Sequence, residues 1–205
     1  MNAAVAFARS RGLPVAVGCA TAVAVVASVF ASRRVAVPEF RYLVDFSVPV
    51  AELAPLAYAV LLAGTLFSPM AELERTSAQP MRRHRAVQLL VLLGCAVALS
   101  ALPLLAGASG EMVLAAARNA VGYLGLGMIG ARLFGSGLAW LPPLGMFGPT
   151  LLLGVRFDNT PEPWAWALHP AASTSAAVAA ALLWLVGAAL AATGSPRGAE
   201  RAEQR

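Results

Sequence analysis

Three groups of residues have the types and spacing to do chemistry. Ser109 lies in the run Gly107-Ala108-Ser109-Gly110, and His169 lies far downstream beside Pro170. A serine becomes a nucleophile when a base is held within hydrogen-bond reach, so this pair is one candidate for hydrolysis. The same four residues also read as a tight turn. Arg118 and Asn119 form a second group inside an apolar run, with Glu111 seven residues earlier, two helical turns away on a similar face, and Glu52 near another run's start. An arginine at mid-bilayer costs roughly 2.5–3.5 kcal/mol on insertion scales, so it must face protein or water. Arg118 therefore either lines a path for an anionic group or braces helices through an ion pair or hydrogen bonds. The third group is the polar stretch 70–86, with Glu72, Glu74, Arg75 and Thr76, then Pro80, then Arg82, Arg83, His84 and Arg85.

Most of the chain around these residues must sit in lipid. It has 205 residues, is 59% hydrophobic and only 12% charged, and has a mean hydropathy of +0.73. A soluble domain is nearer half apolar and a quarter charged. Six apolar runs are each long enough to cross the roughly 30 Å hydrocarbon core: 13–31, 48–69, 87–106, 112–130, 133–155 and 172–192. The expected fold is an all-α integral membrane protein of about six transmembrane helices. Residues 1–193 form the transmembrane domain, and 194–205 form a charged cytoplasmic tail after Gly194-Ser195-Pro196. Arg33, Arg34, Arg41 and Arg156 fall on one side of such a bundle. The other side holds ten arginines, including Arg9, Arg11 and the cluster in 70–86. That asymmetry puts both termini in the cytoplasm.

The fourth and fifth runs carry Gly122, Gly125, Gly127, Gly130, Gly135, Gly137 and Gly145, then Pro142-Pro143 and Pro149. Small residues let helices approach closely, and proline kinks a helix, so both of these helices are expected to be interrupted. Phe40, Tyr42, Phe46, Trp164 and Trp166 flank the runs as headgroup-level anchors. Cys19 and Cys95 lie within apolar runs and read as small buried hydrophobes. All fifteen basic residues are arginine, which with the abundant alanine points to a GC-rich bacterial genome and a plasma (inner) membrane location. The basic residues sit in short clusters between apolar runs, which excludes nucleic acid as a partner.

The stretch 70–86 resembles the coupling loop of the ATP-binding-cassette (ABC) type-2 permeases. In that family an acidic pair precedes Gly-Thr, and a Pro-x-Ser-Arg turn follows before the third of six spans. Here Glu72 and Glu74 match the acidic pair, Thr76 the threonine, Pro80 the proline, and Arg82 or Arg83 the turn arginine. Arg75 stands in place of the glycine, and no serine follows Pro80. The run Trp164-Ala165-Trp166-Ala167-Leu168-His169-Pro170 before the last span is similar to a family segment that often holds short re-entrant helices. The family's amphipathic leading helix has room here only as a stub within 2–11.

The resemblance implies a permease subunit of an ATP-driven exporter. A separate ABC ATPase subunit would contact the loop 70–86, and a second permease copy or a sister permease would complete the path. ATP and magnesium would belong to the ATPase, since this chain has no Gly-x-x-x-x-Gly-Lys-[Ser/Thr] and no lysine at all. The chain is expected to hold no cofactor or metal: it has no His/Glu pair at zinc-ligand spacing and no acidic cluster suited to magnesium. Two alternatives stand beside this reading. One is a non-transporting membrane adaptor or immunity protein. The other rests on the match of 107–110 to the Gly-x-Ser-Gly of rhomboid-type intramembrane serine proteases, with Ser109 and His169 as the pair.

Overall fold

Runs of Ala, Leu and Val, in which every backbone bond must close internally once in lipid, fold as helices. The computed structural model describes residues 8–38, 45–66 and 81–192. Within them are α1 (Leu13–Val29), β1 (Arg34–Pro38), β2 (Asp45–Pro49), α2 (Val50–Ala63), α3 (Met81–Ala101), α4 (Gly110–Phe134), α5 (Leu141–Leu153) and α6 (Thr174–Ala192). Single 3-10 turns extend α2 through Leu66 and α3 through Ala106, and others lie at Ser136–Leu138 and Trp166–Leu168. The stretch 85–106, with 22 residues, α4 with 25 and α6 with 19 are long and apolar enough to cross a membrane. The remaining helices are shorter and apolar. The outward faces of α1, α3, α4 and α6 carry Val15, Val26, Leu90, Leu114, Leu182 and Leu185, all at least half exposed. An apolar surface of that extent belongs against lipid, and this chain is a helical membrane protein.

The helix α4 is the centre of the fold. Of its apolar span 61% is buried, against 33% for the α3 segment and 22% for α6. Its glycines are what admit its neighbours. A Cβ at Gly125 would lie 2.5 Å from the backbone of Leu183 in α6, and one at Gly187 would lie 2.6 Å from the Gly125 carbonyl. At Gly127 it would meet Ala63 of α2, and at Gly130 Pro142 of α5, each at 2.6 Å. The helix does not break at these glycines, contrary to expectation. It runs unbroken from Gly110 to Phe134, because each missing side chain is replaced by a neighbour packed against the groove.

The interruption falls between α4 and α5. Gly135, at φ 90°, ends α4, and α5 does not start until Leu141. The pair Pro142-Pro143 lies in the first turn of α5, where proline's missing N–H has no partner to lose, so it starts the helix instead of splitting it. Only Pro149 lies inside α5. Gly145 and Gly137 have no neighbouring atoms within reach of a Cβ.

The fold is also not purely α. β1 and β2 pair antiparallel between α1 and α2, with Val35 opposite Val48 and Val37 opposite Phe46. Val37 and Val48 are buried, and β-branched side chains suit such a half-buried ribbon. The hairpin takes Val48 and Pro49, so α2 starts at Val50.

Candidate functional site

Two polar networks form at opposite ends of the bundle. Arg11 directly precedes α1, after a helical stub over residues 8–10, and Gly12 turns the chain at φ 64°. The Arg11 side chain is buried. Its Nη1 donates to the Leu66 carbonyl and, at 3.0 Å, to Gln88 Oε1. Gln88 Nε2 in turn donates to the Thr65 carbonyl at 2.9 Å. One arginine thus ties the start of α1 to the last turn of α2 and the early turns of α3. Leu66 and Gln88 flank the 70–86 stretch on its two sides, and Ala191 of α6 lies against the same residues.

Of the residues expected in the coupling loop, Glu72, Glu74, Arg75, Thr76 and Pro80 lie outside the described residues. Arg82 and Arg83 fall in the first turn of α3. Arg11 appeared in the sequence only as an orientation charge, and Gln88 was not singled out.

At the other end, Arg118 sits nine residues into α4, about 12 Å from its start. Its Nε and Nη2 both donate to Asn119 Oδ1, at 3.1 and 3.0 Å. Nη1 donates to the Pro170 carbonyl at 2.9 Å, and Nη2 to those of His169 at 2.9 Å and Ala167 at 3.3 Å. Asn119 is buried, and its Nδ2 donates to the Ala167 carbonyl at 2.9 Å. One guanidinium and one amide thus bond the carbonyls of Ala167, His169 and Pro170 in the segment before α6, the last of which also accepts from the Ser173 N–H at 3.0 Å. Trp166 follows the same inward path. It is 5% exposed, lies over Gly122, and meets Tyr123 at a tilt of 51° with ring centroids 5.2 Å apart. It is therefore a buried wedge and not a headgroup anchor. Trp164, at 41% exposure, keeps an outward position.

Among the described residues no carboxylate ion-pairs with Arg118. Glu111 is exposed at the start of α4. Glu52, Glu111, Arg34, Ser109 and His169 all line one open cavity of about 300 Å3 above the Arg118 network.

Ser109 and His169 therefore share a cavity, but their hydrogen bonds go elsewhere. Gly107, at φ 83°, turns the chain, and Ser109 Oγ accepts from the Met112 N–H at 3.3 Å as the N-cap of α4. His169 Nε2 lies 3.1 Å from the Glu162 carbonyl. A carbonyl only accepts, so Nε2 carries the proton, and in the neutral ring Nδ1 is the acceptor.

Beyond this site the chain returns through a small turn. Val155 bridges Pro161, Arg156 pairs with Glu162 at 3.2 Å, and Asp158 accepts from both the N–H and the hydroxyl of Thr160. Those two bonds hold the Asp158 carboxyl below its ordinary value of 3.8.

Among the described residues no group of three or more His, Cys, Asp or Glu is placed to hold a metal. Comparison with known protein families, characterised proteins and solved structures found no match to this chain.

Proposed function

We propose that this chain is the membrane-spanning permease subunit of an ATP-driven ABC exporter in a bacterial plasma membrane, with all six helices crossing the bilayer and both termini cytoplasmic. The observation that carries the reading is the Arg11 clamp. A loop that transmits the stroke of an ATPase must be rooted in helices that move together, and Arg11 joins α1, α2 and α3 at the two roots of the 70–86 stretch. The alternating helix directions bring the start of α1 and the end of α6 to this same end. It is also the arginine-rich end, which the bilayer keeps cytoplasmic. In this reading Glu72, Glu74, Arg75, Thr76, Pro80, Arg82 and Arg83 meet a separate ABC ATPase. A second copy or a sister permease completes the path, and the segment bearing Trp166 is the re-entrant element on the outer side.

Gentle extraction of the tagged chain from native membranes tests this. An ABC ATPase should co-purify, and its recovery should fall when Glu72 and Glu74 are both replaced by alanine. Extraction of the intact chain with no ATPase attached overturns the proposal.

A further inference from the structure

The cavity at the hairpin end is built from four segments distant in sequence: β1 supplies Arg34, α2 Glu52, the start of α4 Ser109 and Glu111, and the segment before α6 His169 and Pro170. Its volume of about 300 Å3 lies at the lower end of small-molecule sites. The wall formed by residues 168–171 is tied to α4 through the His169 and Pro170 carbonyls, which accept from Arg118. Among the described residues neither Glu52 nor Glu111 ion-pairs, and Arg34 donates to Ser47 Oγ at 3.3 Å. Two carboxylates and a guanidinium thus line one small space without neutralising each other by contact.

The charges define the ligand. Glu52 and Glu111 favour a cation, and a bare divalent ion would want more hard oxygen ligands than two carboxylates supply. A primary ammonium has three donors, matched by two carboxylates and the Ser109 hydroxyl. Arg34 opposes a simple cation and suits a carboxylate or phosphate. Counting Arg118 behind the wall, two positive and two negative groups balance, which fits a ligand neutral overall.

We propose that this cavity binds a small zwitterion, a primary ammonium tethered to an anionic group, with the ammonium at Glu52 and Glu111 and the anion at Arg34. Such a group occurs on a soluble solute and on a phosphatidylethanolamine headgroup. The proposal does not rest on the ATPase reading, and its test uses the full-length chain alone.

In detergent micelles, calorimetric titration with glycerophosphoethanolamine measures the soluble arm. Native mass spectrometry after adding equal amounts of phosphatidylethanolamine and phosphatidylcholine measures the lipid arm. Saturable binding of the free probe assigns a soluble ligand, and retention of phosphatidylethanolamine alone assigns the lipid headgroup; both support the site. Replacing Glu52 and Glu111 together by glutamine should weaken binding by about tenfold or more. N-acetylation of the probe or of the lipid amine should abolish it in the unaltered protein, a readout that does not depend on a variant folding. Failure of both arms, equal binding of the acetylated forms, or full binding by folded E52Q/E111Q protein overturns the proposal.

Discussion

Asn119 Oδ1 accepts two hydrogen bonds from the guanidinium of its sequence neighbour Arg118, while Asn119 Nδ2 donates to the Ala167 carbonyl that Arg118 Nη2 also reaches. Adjacent residues on a helix point about 100° apart, so this pairing requires the long arginine to fold back across the helix surface. The amide orients the fork, and the fork then bonds the carbonyls of Ala167, His169 and Pro170. A charge that is costly in lipid becomes the fastener of the segment before α6.

Lysine cannot replace that fork, since its ammonium is a point charge on a flexible stem. Arg118→Lys should destabilise the detergent-solubilised protein by about 3 kcal/mol, and Asn119→Ala by about 2 kcal/mol. Thermal unfolding followed by tryptophan fluorescence measures both. A R118K melting curve that overlays the unaltered protein's would contradict the assignment of the fork to residues 167–170.

The α4–α6 contact depends on missing side chains. Gly125→Leu or Gly187→Val should cost about 1–3 kcal/mol from overpacking, and more if the helices separate. Gly145→Ala on α5, where nothing lies near, should be neutral or stabilise by about 0.5–1 kcal/mol through helix propensity. Unfolding midpoints of the three variants decide the matter, and equal losses at all three sites would argue against the close approach.

The apolar helices, and the polar pair Arg118–Asn119 within one of them, were legible because lipid imposes a length and a cost that composition records directly. The unbroken course of α4 was not, since a glycine's effect depends on whether a neighbour fills its groove, and Leu183 and Pro142 are distant in sequence. The burial of Trp166 escaped for the same reason: the slot it enters is made by Gly122. Arg118 and Asn119 stood out as side chains, but their partners at 167–170 are backbone carbonyls, which every residue carries and no composition reveals. The hairpin is short, mixed in polarity and ended by Pro38 and Pro49, so its alternation gave little signal. Arg11 was concealed by a more ordinary role as an orientation charge, and Gln88 carried no signal because a lone glutamine belongs to no motif.

The Arg11 clamp predicts a separation of assembly from activity. Gln88→Leu keeps the apolar course of α3 but removes the acceptor for Arg11 and the donor to Thr65. Under the proposed ATPase coupling, the variant should insert normally and still bind the ATPase, while ATP hydrolysis by that complex loses about tenfold of its response to the permease. Assay of the purified complex in nanodiscs measures this, and an unchanged response would remove the clamp from the coupling path.

The Asp158 turn should titrate below the ordinary carboxylate value, because Thr160 bonds the ionised form. A lowered value in the folded state means the turn gains stability above pH 3.8 and loses it as the pH falls through the folded value. NMR titration of Asp158 should give a midpoint below 3.8, and Thr160→Val should move it upward. The exposed turn should leave global unfolding unchanged.

The shortness of α5 reaches beyond the protein. Its thirteen residues rise only about 20 Å, against a hydrocarbon layer of about 30 Å, and Leu144 and Leu153 face outward along it. In the six-span arrangement proposed above, lipid meeting this flank would have to compress to match it while lipid beside α4 and α6 would not. The protein would then carry a built-in dent in the bilayer on one side, an elastic strain that favours thinner membranes.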